Sequence, residues 1–274
     1  MQGVMRYPAK QKLNIMASIT SIQWTDSTVN FWMGCKKVSE GCKFCYMFRN
    51  QSKNNIDPTV VKKTSEETFN KALTWTRPRK IFTCSYSDFF IEEADAWRDE
   101  AWEVIKNTPQ HQWQILTKRI DRVKDCLPDD WGPDGYPNVW LGVTVENQKY
   151  LSRVEKLKEI PAAVKFISAE PLIGEIKFSD YSPELLKGIN WVIVGGESGF
   201  EFGEYRYRKC ELDWIESIIK EAKANDVKVF VKQLGSDLAK RLKLKDKFGG
   251  SPDEWDPKYR VLQFPQYKLD FVWS

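Results

Sequence analysis

The 274-residue chain contains a single histidine, six cysteines and no uninterrupted apolar stretch near the roughly 18–20 residues that cross a bilayer. The missing apolar run excludes a membrane-spanning helix, so no membrane partner is expected. The first sixteen residues scatter Lys and Arg without a continuous hydrophobic region and do not read as a secretory signal. Residues 1–18 read as a flexible lead-in, and a cytoplasmic location is expected. Without a secretion signal, the six cysteines read as reduced thiols rather than disulfides. The lone histidine, His111, just precedes an apolar run and reads as a surface residue rather than a catalytic one. A formal net charge of +4 is too small to indicate a nucleic-acid partner unless it is gathered on one face.

What the chain has in quantity is apolar residue, at 42%, enough for a sizeable core and against wholesale disorder. Short apolar runs at 29–33, 81–84, 113–117, 139–143, 165–168, 191–194 and 228–231 alternate with helix-period segments. Trp97, Ala101, Val104 and Ile105 share one helical face, as do Leu212, Ile215, Ile219 and Ala222. Thr64 followed by Glu67 resembles a capping box. The strand runs are mostly apolar rather than alternating, which favours a parallel sheet covered by helices. The fold class expected is α/β: a full or partial (β/α) TIM-type barrel over 19–233, with a doubly wound open sheet as runner-up. Residues 234–274 read as a C-terminal extension packed on the barrel through Trp255, Val261, Leu262 and Phe264. Its basic run of Lys240, Arg241, Lys243, Lys245 and Lys247 reads as a solvated face.

Charged and hydroxyl residues follow six of the runs directly. They are Ser85, Ser87 and Asp88; Thr117, Lys118 and Arg119; Thr144, Glu146 and Asn147; Glu170; Gly195, Gly196, Glu197 and Ser198; Lys232 and Gln233. In a barrel these positions converge on the C-terminal mouth, where active sites of that architecture sit.

Three of the cysteines, Cys35, Cys42 and Cys45, fall within eleven residues at Cys-x6-Cys-x2-Cys spacing, directly after the first strand run. Thiolates are soft ligands that suit iron–sulfur clusters, zinc or cuprous ion. Gly34 and Gly41 relax the backbone beside them, and Lys36, Lys37 and Lys43 offset anionic charge. A cubane cluster held by three cysteines leaves one iron open to a small ligand, whereas closed structural sites fill every position.

This loop, with Phe44 just before its last cysteine, resembles the radical SAM superfamily, although the first spacer is longer than the usual one. A closer resemblance extends from about residue 22 to 264. Ile22-Gln23-Trp24-Thr25-Asp26, Leu116-Thr117-Lys118-Arg119, Gly142-Val143-Thr144-Val145-Glu146-Asn147, Ser168-Ala169-Glu170-Pro171-Leu172, Gly195-Gly196-Glu197-Ser198-Gly199 and Gly249-Gly250-Ser251-Pro252-Asp253-Glu254-Trp255 resemble a family of phage and bacterial three-Cys-motif proteins. That resemblance implies a radical SAM-like partial barrel with a [4Fe–4S] cluster on Cys35, Cys42 and Cys45. It also implies S-adenosylmethionine as second cofactor, cleaved reductively to a 5′-deoxyadenosyl radical by an external one-electron reductant. Phe44 would pack on adenine, and Lys118 or Arg119 would pair with the cofactor carboxylate. Glu146, Glu170 or Glu197 would accept from ribose or ammonium, Ser87 would add a hydroxyl, and Gly195 and Gly196 would admit the adenosine.

The family leaves the substrate open; a nucleobase, nucleotide or nucleic acid fits, and so does a peptide or a small metabolite. Two other functions stay open at this point. One is a zinc-binding nucleic-acid or protein interaction module completed by Cys84, Cys210 or His111; the other is a non-catalytic iron–sulfur barrel.

Overall fold

The structure is a computed structural model that describes residues 20–266; the lead-in and the last eight residues of the extension lie outside them. Its centre is a parallel sheet of seven strands: β1 (Ser27–Val29), β4 (Lys80–Thr83), β5 (Gln112–Thr117), β6 (Val139–Thr144), β7 (Val164–Leu172), β8 (Trp191–Gly196) and β9 (Lys228–Gln233). The two remaining strands, β2 (Trp32–Met33) and β3 (Lys62–Lys63), form a separate antiparallel pair.

Strand order in the sheet is β1-β4-β5-β6-β7-β8-β9, so neighbours in space are neighbours along the chain. Such an order has no reversal point, which rules out the doubly wound arrangement. Parallel crossovers share one hand, so sequential order puts the helices on one side and curls the other side inward. The result is a half-barrel: β1 and β9 are its edges and do not pair with each other.

Both faces of the sheet are buried, which is why its strands read as continuous apolar runs. On the outer face Ile81, Trp113, Ile115, Leu141, Val143, Ile167, Val192 and Val229 pack against the helices. Helix Asp95–Lys106 contributes Ala101, Val104 and Ile105, and helix Leu212–Ala224 contributes Ile215, Ile219 and Ala222. On the inner face Trp24, Phe82, Trp140, Phe166, Trp191, Ile193 and Phe230 form a second core that fills the base of the half-barrel. The rings of Trp24, Trp140, Phe166 and Phe230 all lie within 6.2 Å of the Trp191 ring. Gly142 makes this possible, since a Cβ there would stand 2.4 Å from the Phe166 ring.

Four expectations change. The run 29–33 splits: β1 ends at Val29, and Trp32–Met33 leaves the barrel to pair with Lys62–Lys63. Asn30 marks the break, its side-chain oxygen accepting from Tyr86 N at 2.9 Å and Ser85 Oγ at 3.2 Å. Helix Glu66–Phe69 is capped by Ser65, which accepts from Thr68 N, while Thr64 instead donates to the Asn30 and Phe31 carbonyls. His111 is fully buried, with Nε2 3.3 Å from the Ala72 carbonyl and its ring edge-on to Trp75. Leu262 is 45% exposed rather than packed.

Elsewhere in residues 234–266, Trp255 and Tyr259 are buried, and Phe264 lies 5.3 Å from the Trp191 ring under the inner core. Val231 N donates to Val261 O, and Gln263 N to Val229 O, both at 2.8 Å. This segment covers the open edge of β9, which would otherwise offer unpaired backbone groups. In the basic run, Lys240 pairs with Glu201, and Arg241 with Asp237 and Glu211. Among the described residues no helix is long and apolar enough to cross a membrane.

Candidate functional site

Along three of the strands the inward positions change from aromatic to polar toward the C-terminal end. On β7, Phe166 gives way to Ser168 and then Glu170; on β6, Trp140 gives way to Thr144; on β9, Phe230 gives way to Lys232. Above the aromatic base this leaves a cavity of about 530 Å³, within the range of small-molecule sites. Cys35, Cys42, Cys45 and Phe44 line it from the cysteine loop. Ser87, Lys118, Arg119, Glu170, Gly196 and Glu197 line it from the strand ends. Glu146 and Gly195 do not line it.

The cysteine loop is docked on the mouth by charges from three strand ends. After β5, Arg119 Nη1 stands 3.9 Å from Cys35 Sγ and 3.3 Å from Asp88 Oδ2, while its Nη2 donates to Lys36 O at 2.9 Å. Asp88 is itself fixed by Thr117 Oγ1 at 2.7 Å and Lys118 N at 3.0 Å. After β6, Glu146 accepts from Ser39 Oγ and pairs with Arg153 at 2.9 Å and Lys118 at 3.6 Å. After β8, Glu197 takes Arg208 in a bidentate pair at 2.5 and 2.8 Å, and Arg208 Nη1 donates to Glu40 O at 2.7 Å. The same guanidinium lies 5.1 Å over the Phe44 ring.

These contacts involve several of the residues expected at the site. Arg119, Glu146 and Glu197 each pair with the cysteine loop or its supports, and Arg119 and Glu197 also line the cavity. Gly195 makes room for Glu170, whose Oε1 would be 2.6 Å from a Cβ there. Gly196, which lines the cavity, lets the Leu234–Gly235 backbone approach. Ser87 donates to Gly34 O at 2.5 Å, again holding the loop. Glu170, paired to Lys232 at 3.0 Å, and Lys118 also line the cavity. Lys232 occupies on β9 a strand-end position like that of Glu170 on β7, which is the pattern that points to it. Arg208 lies twelve residues past β8 in an irregular loop, and nothing in its local sequence marks it.

Burial and the nearby Asp88 push the Cys35 thiol up to about 12, with Arg119 pulling the other way. Burial also raises Cys45, against the lowering effect of the Met47 and Phe48 backbone N–H groups at the start of helix Tyr46–Lys53. Ser39 Oγ lies 3.6 Å from Cys42 Sγ. Among the described residues no set of three or more His, Cys, Asp or Glu side chains is arranged to hold a metal ion. Sulfurs sharing one tetrahedral ion must stand about 3.8 Å apart, from bonds of about 2.3 Å. A cluster gives each thiolate its own iron and so spaces the thiolates more widely. Three soft donors line one cavity together with Lys118 and Arg119. As a fourth donor for zinc, Cys84 alone of the three open choices lines this cavity. His111 sits at the start of β5, opposite the mouth, and Cys210 is buried beside Asp237.

Fold and cavity together define a parallel α/β half-barrel protein with its candidate site at the C-terminal ends of the strands. Over residues 19–256 the chain matches the family described as Protein of unknown function (DUF5131), and it belongs to that family. No curated protein and no solved structure matches it.

Proposed function

We propose that this protein is a radical S-adenosylmethionine enzyme whose [4Fe–4S] cluster is held by Cys35, Cys42 and Cys45. The observation that carries this reading is the convergence of three loop thiols and the Glu170–Lys232 pair on one cavity at the mouth of a parallel half-barrel. When bound, the cluster supplies an electron, delivered by an external reductant, that cleaves the sulfonium of S-adenosylmethionine and so generates a 5′-deoxyadenosyl radical.

The chain's own part is to bind, orient and exclude water. Arg119 and Lys118 offset the negative charge of the ligand thiolates, which must give up their protons on loading. Glu170 and Lys232 present one charge of each sign to the cavity, suited to the ammonium and carboxylate of an amino-acid moiety. Phe44, held under Arg208, offers a flat apolar wall beside the cysteines. The inner aromatic core closes the base, so that a reactive species meets substrate rather than solvent.

The test is anaerobic reconstitution followed by reduction with dithionite in the presence of S-adenosylmethionine. Roughly four iron and four sulfide per chain are expected, with a change in the electron paramagnetic resonance of the reduced cluster on adding S-adenosylmethionine and release of 5′-deoxyadenosine. Fully loaded protein that neither changes its spectrum nor releases 5′-deoxyadenosine overturns the assignment. Colourless protein with stoichiometric zinc does the same.

A further inference from the structure

Outside the cavity, the loop that follows β8 carries two exposed aromatic rings in a small turn structure. Phe200 N donates to Tyr205 O at 3.0 Å, and Tyr207 N to Phe200 O at 2.9 Å, so that residues 201–204 project as a tip. Phe200 is 46% exposed and Phe202 78% exposed, which for phenylalanine beside a cavity mouth asks for a partner. Cations flank Phe200 and the cavity-lining Phe44. Arg49 and Lys53, from helix Tyr46–Lys53, lie 5.3 and 4.9 Å over Phe200. Arg206 lies 5.8 Å and Lys43 5.4 Å over Phe44, which lines the cavity. Two of the carboxylates on this rim are already neutralised, Glu40 by Lys149 at 2.8 Å and Glu201 by Lys240; Glu204 stands at the tip.

Flat rings interleaved with cations, running from an outer tip into a cavity, are the chemistry that binds single-stranded nucleic acid. Bases stack on the rings while phosphates meet Arg and Lys. A duplex keeps its bases stacked on each other and so offers the rings nothing. We propose that the mouth binds a single-stranded nucleic acid across Phe202, Phe200 and the cations Arg49, Lys53 and Arg206, delivering one nucleotide to the cavity. This names the substrate class of the site and rests on the cavity being where the reaction occurs.

The experiment is fluorescence anisotropy of a labelled twelve-nucleotide thymidine strand, chosen as probe, with the purified full-length chain before and after cluster reconstitution. Binding is expected in both forms. Phe200→Ala and Phe202→Ala are each expected to weaken it by about fivefold or more, with circular dichroism unchanged because both rings are exposed. Three phosphate contacts give a slope of log affinity against log salt of about −2, and the double variant Arg49→Gln, Lys53→Gln makes it shallower by about 1.4. An unlabelled duplex of equal phosphate concentration is expected to compete poorly. No binding at low salt, aromatic variants that bind like the parent, or a duplex that competes as well as the single strand each overturn the proposal. Because none of these readouts uses iron, such a failure leaves the radical reading standing. Failure of 5′-deoxyadenosine release beside intact strand binding identifies the opposite error.

Discussion

Gly41, inside the cysteine loop, lies directly on the Glu146 side chain: a Cβ at Gly41 would stand 2.5 Å from both Cγ and Oε1 of that glutamate. Glu146 is fully buried and held by Arg153, Lys118 and Ser39, so it has no room to yield. The contact seats the loop on the end of β6 and fixes where its thiols stand.

Gly41→Ala is therefore expected to lift the loop, costing about 1–3 kcal/mol as an overpacked site does. Thermal denaturation reads the loss, and iron bound per chain after reconstitution is expected to fall with it. A variant with the parent's melting temperature and iron content contradicts this seating. Glu146→Ala is expected to cost more, about 3–5 kcal/mol, because it leaves Arg153 buried without its counter-ion.

Of the six cysteines, only the three of the loop are expected to matter for iron. Cys35→Ala, Cys42→Ala or Cys45→Ala should abolish stable loading, measured as iron and sulfide per chain. Cys126→Ala, a half-buried residue far along the chain beside Arg122, should load like the parent. Normal iron in the Cys42→Ala variant refutes the ligand assignment.

Glu170 and Lys232 form an ion pair in the lining of the cavity. Glu170→Gln removes the negative member with little change of shape, and 5′-deoxyadenosine release is expected to drop at least about tenfold, a loss of about 1.4 kcal/mol in transition-state stabilisation. Cluster content is expected to stay at the parent's level. Loss of cluster together with activity would instead mean that Glu170 supports the loop.

The buried His111 makes stability depend on pH. Burial holds its pKa below the ordinary histidine range, partly opposed by the contact with Ala72 O, and Nδ1 has no hydrogen-bond partner among the described residues. As pH falls below about 6.5, the unfolded chain takes up a proton that the folded chain refuses. Stability should therefore decrease from pH 7 to pH 5. Since His111 is the only histidine, His111→Gln should flatten that slope. Melting temperatures across this range decide it; an unchanged slope in the variant places the titration elsewhere.

The seven strand runs, the helical faces and the cysteine spacing are legible in the chain because each is a local pattern with a fixed period. Local patterns do not say where a loop leaves the sheet. The run 29–33 is apolar but for Asn30, and Asn30 turns the chain out because its side chain bonds across to Ser85 and Tyr86, fifty-five and fifty-six residues away. His111 looks like a polar residue before a strand, and only the packing of Ala72 and Trp75 over it makes it core.

The order of residues by itself determined that parallel strands would alternate with helices, that polar groups would follow the strands, and that three thiols would share one short loop. Tertiary structure decided which of those polar groups face the cavity. Arg119, Glu146 and Glu197 are drawn to the cysteine loop because buried charges must find partners wherever the fold offers them. Glu170 and Lys232 line the cavity as a pair because the curled sheet brings the ends of β7 and β9 within reach of each other. A one-dimensional pattern gives the type and period of each side chain; its partner is set by distances that exist only once the sheet has curled.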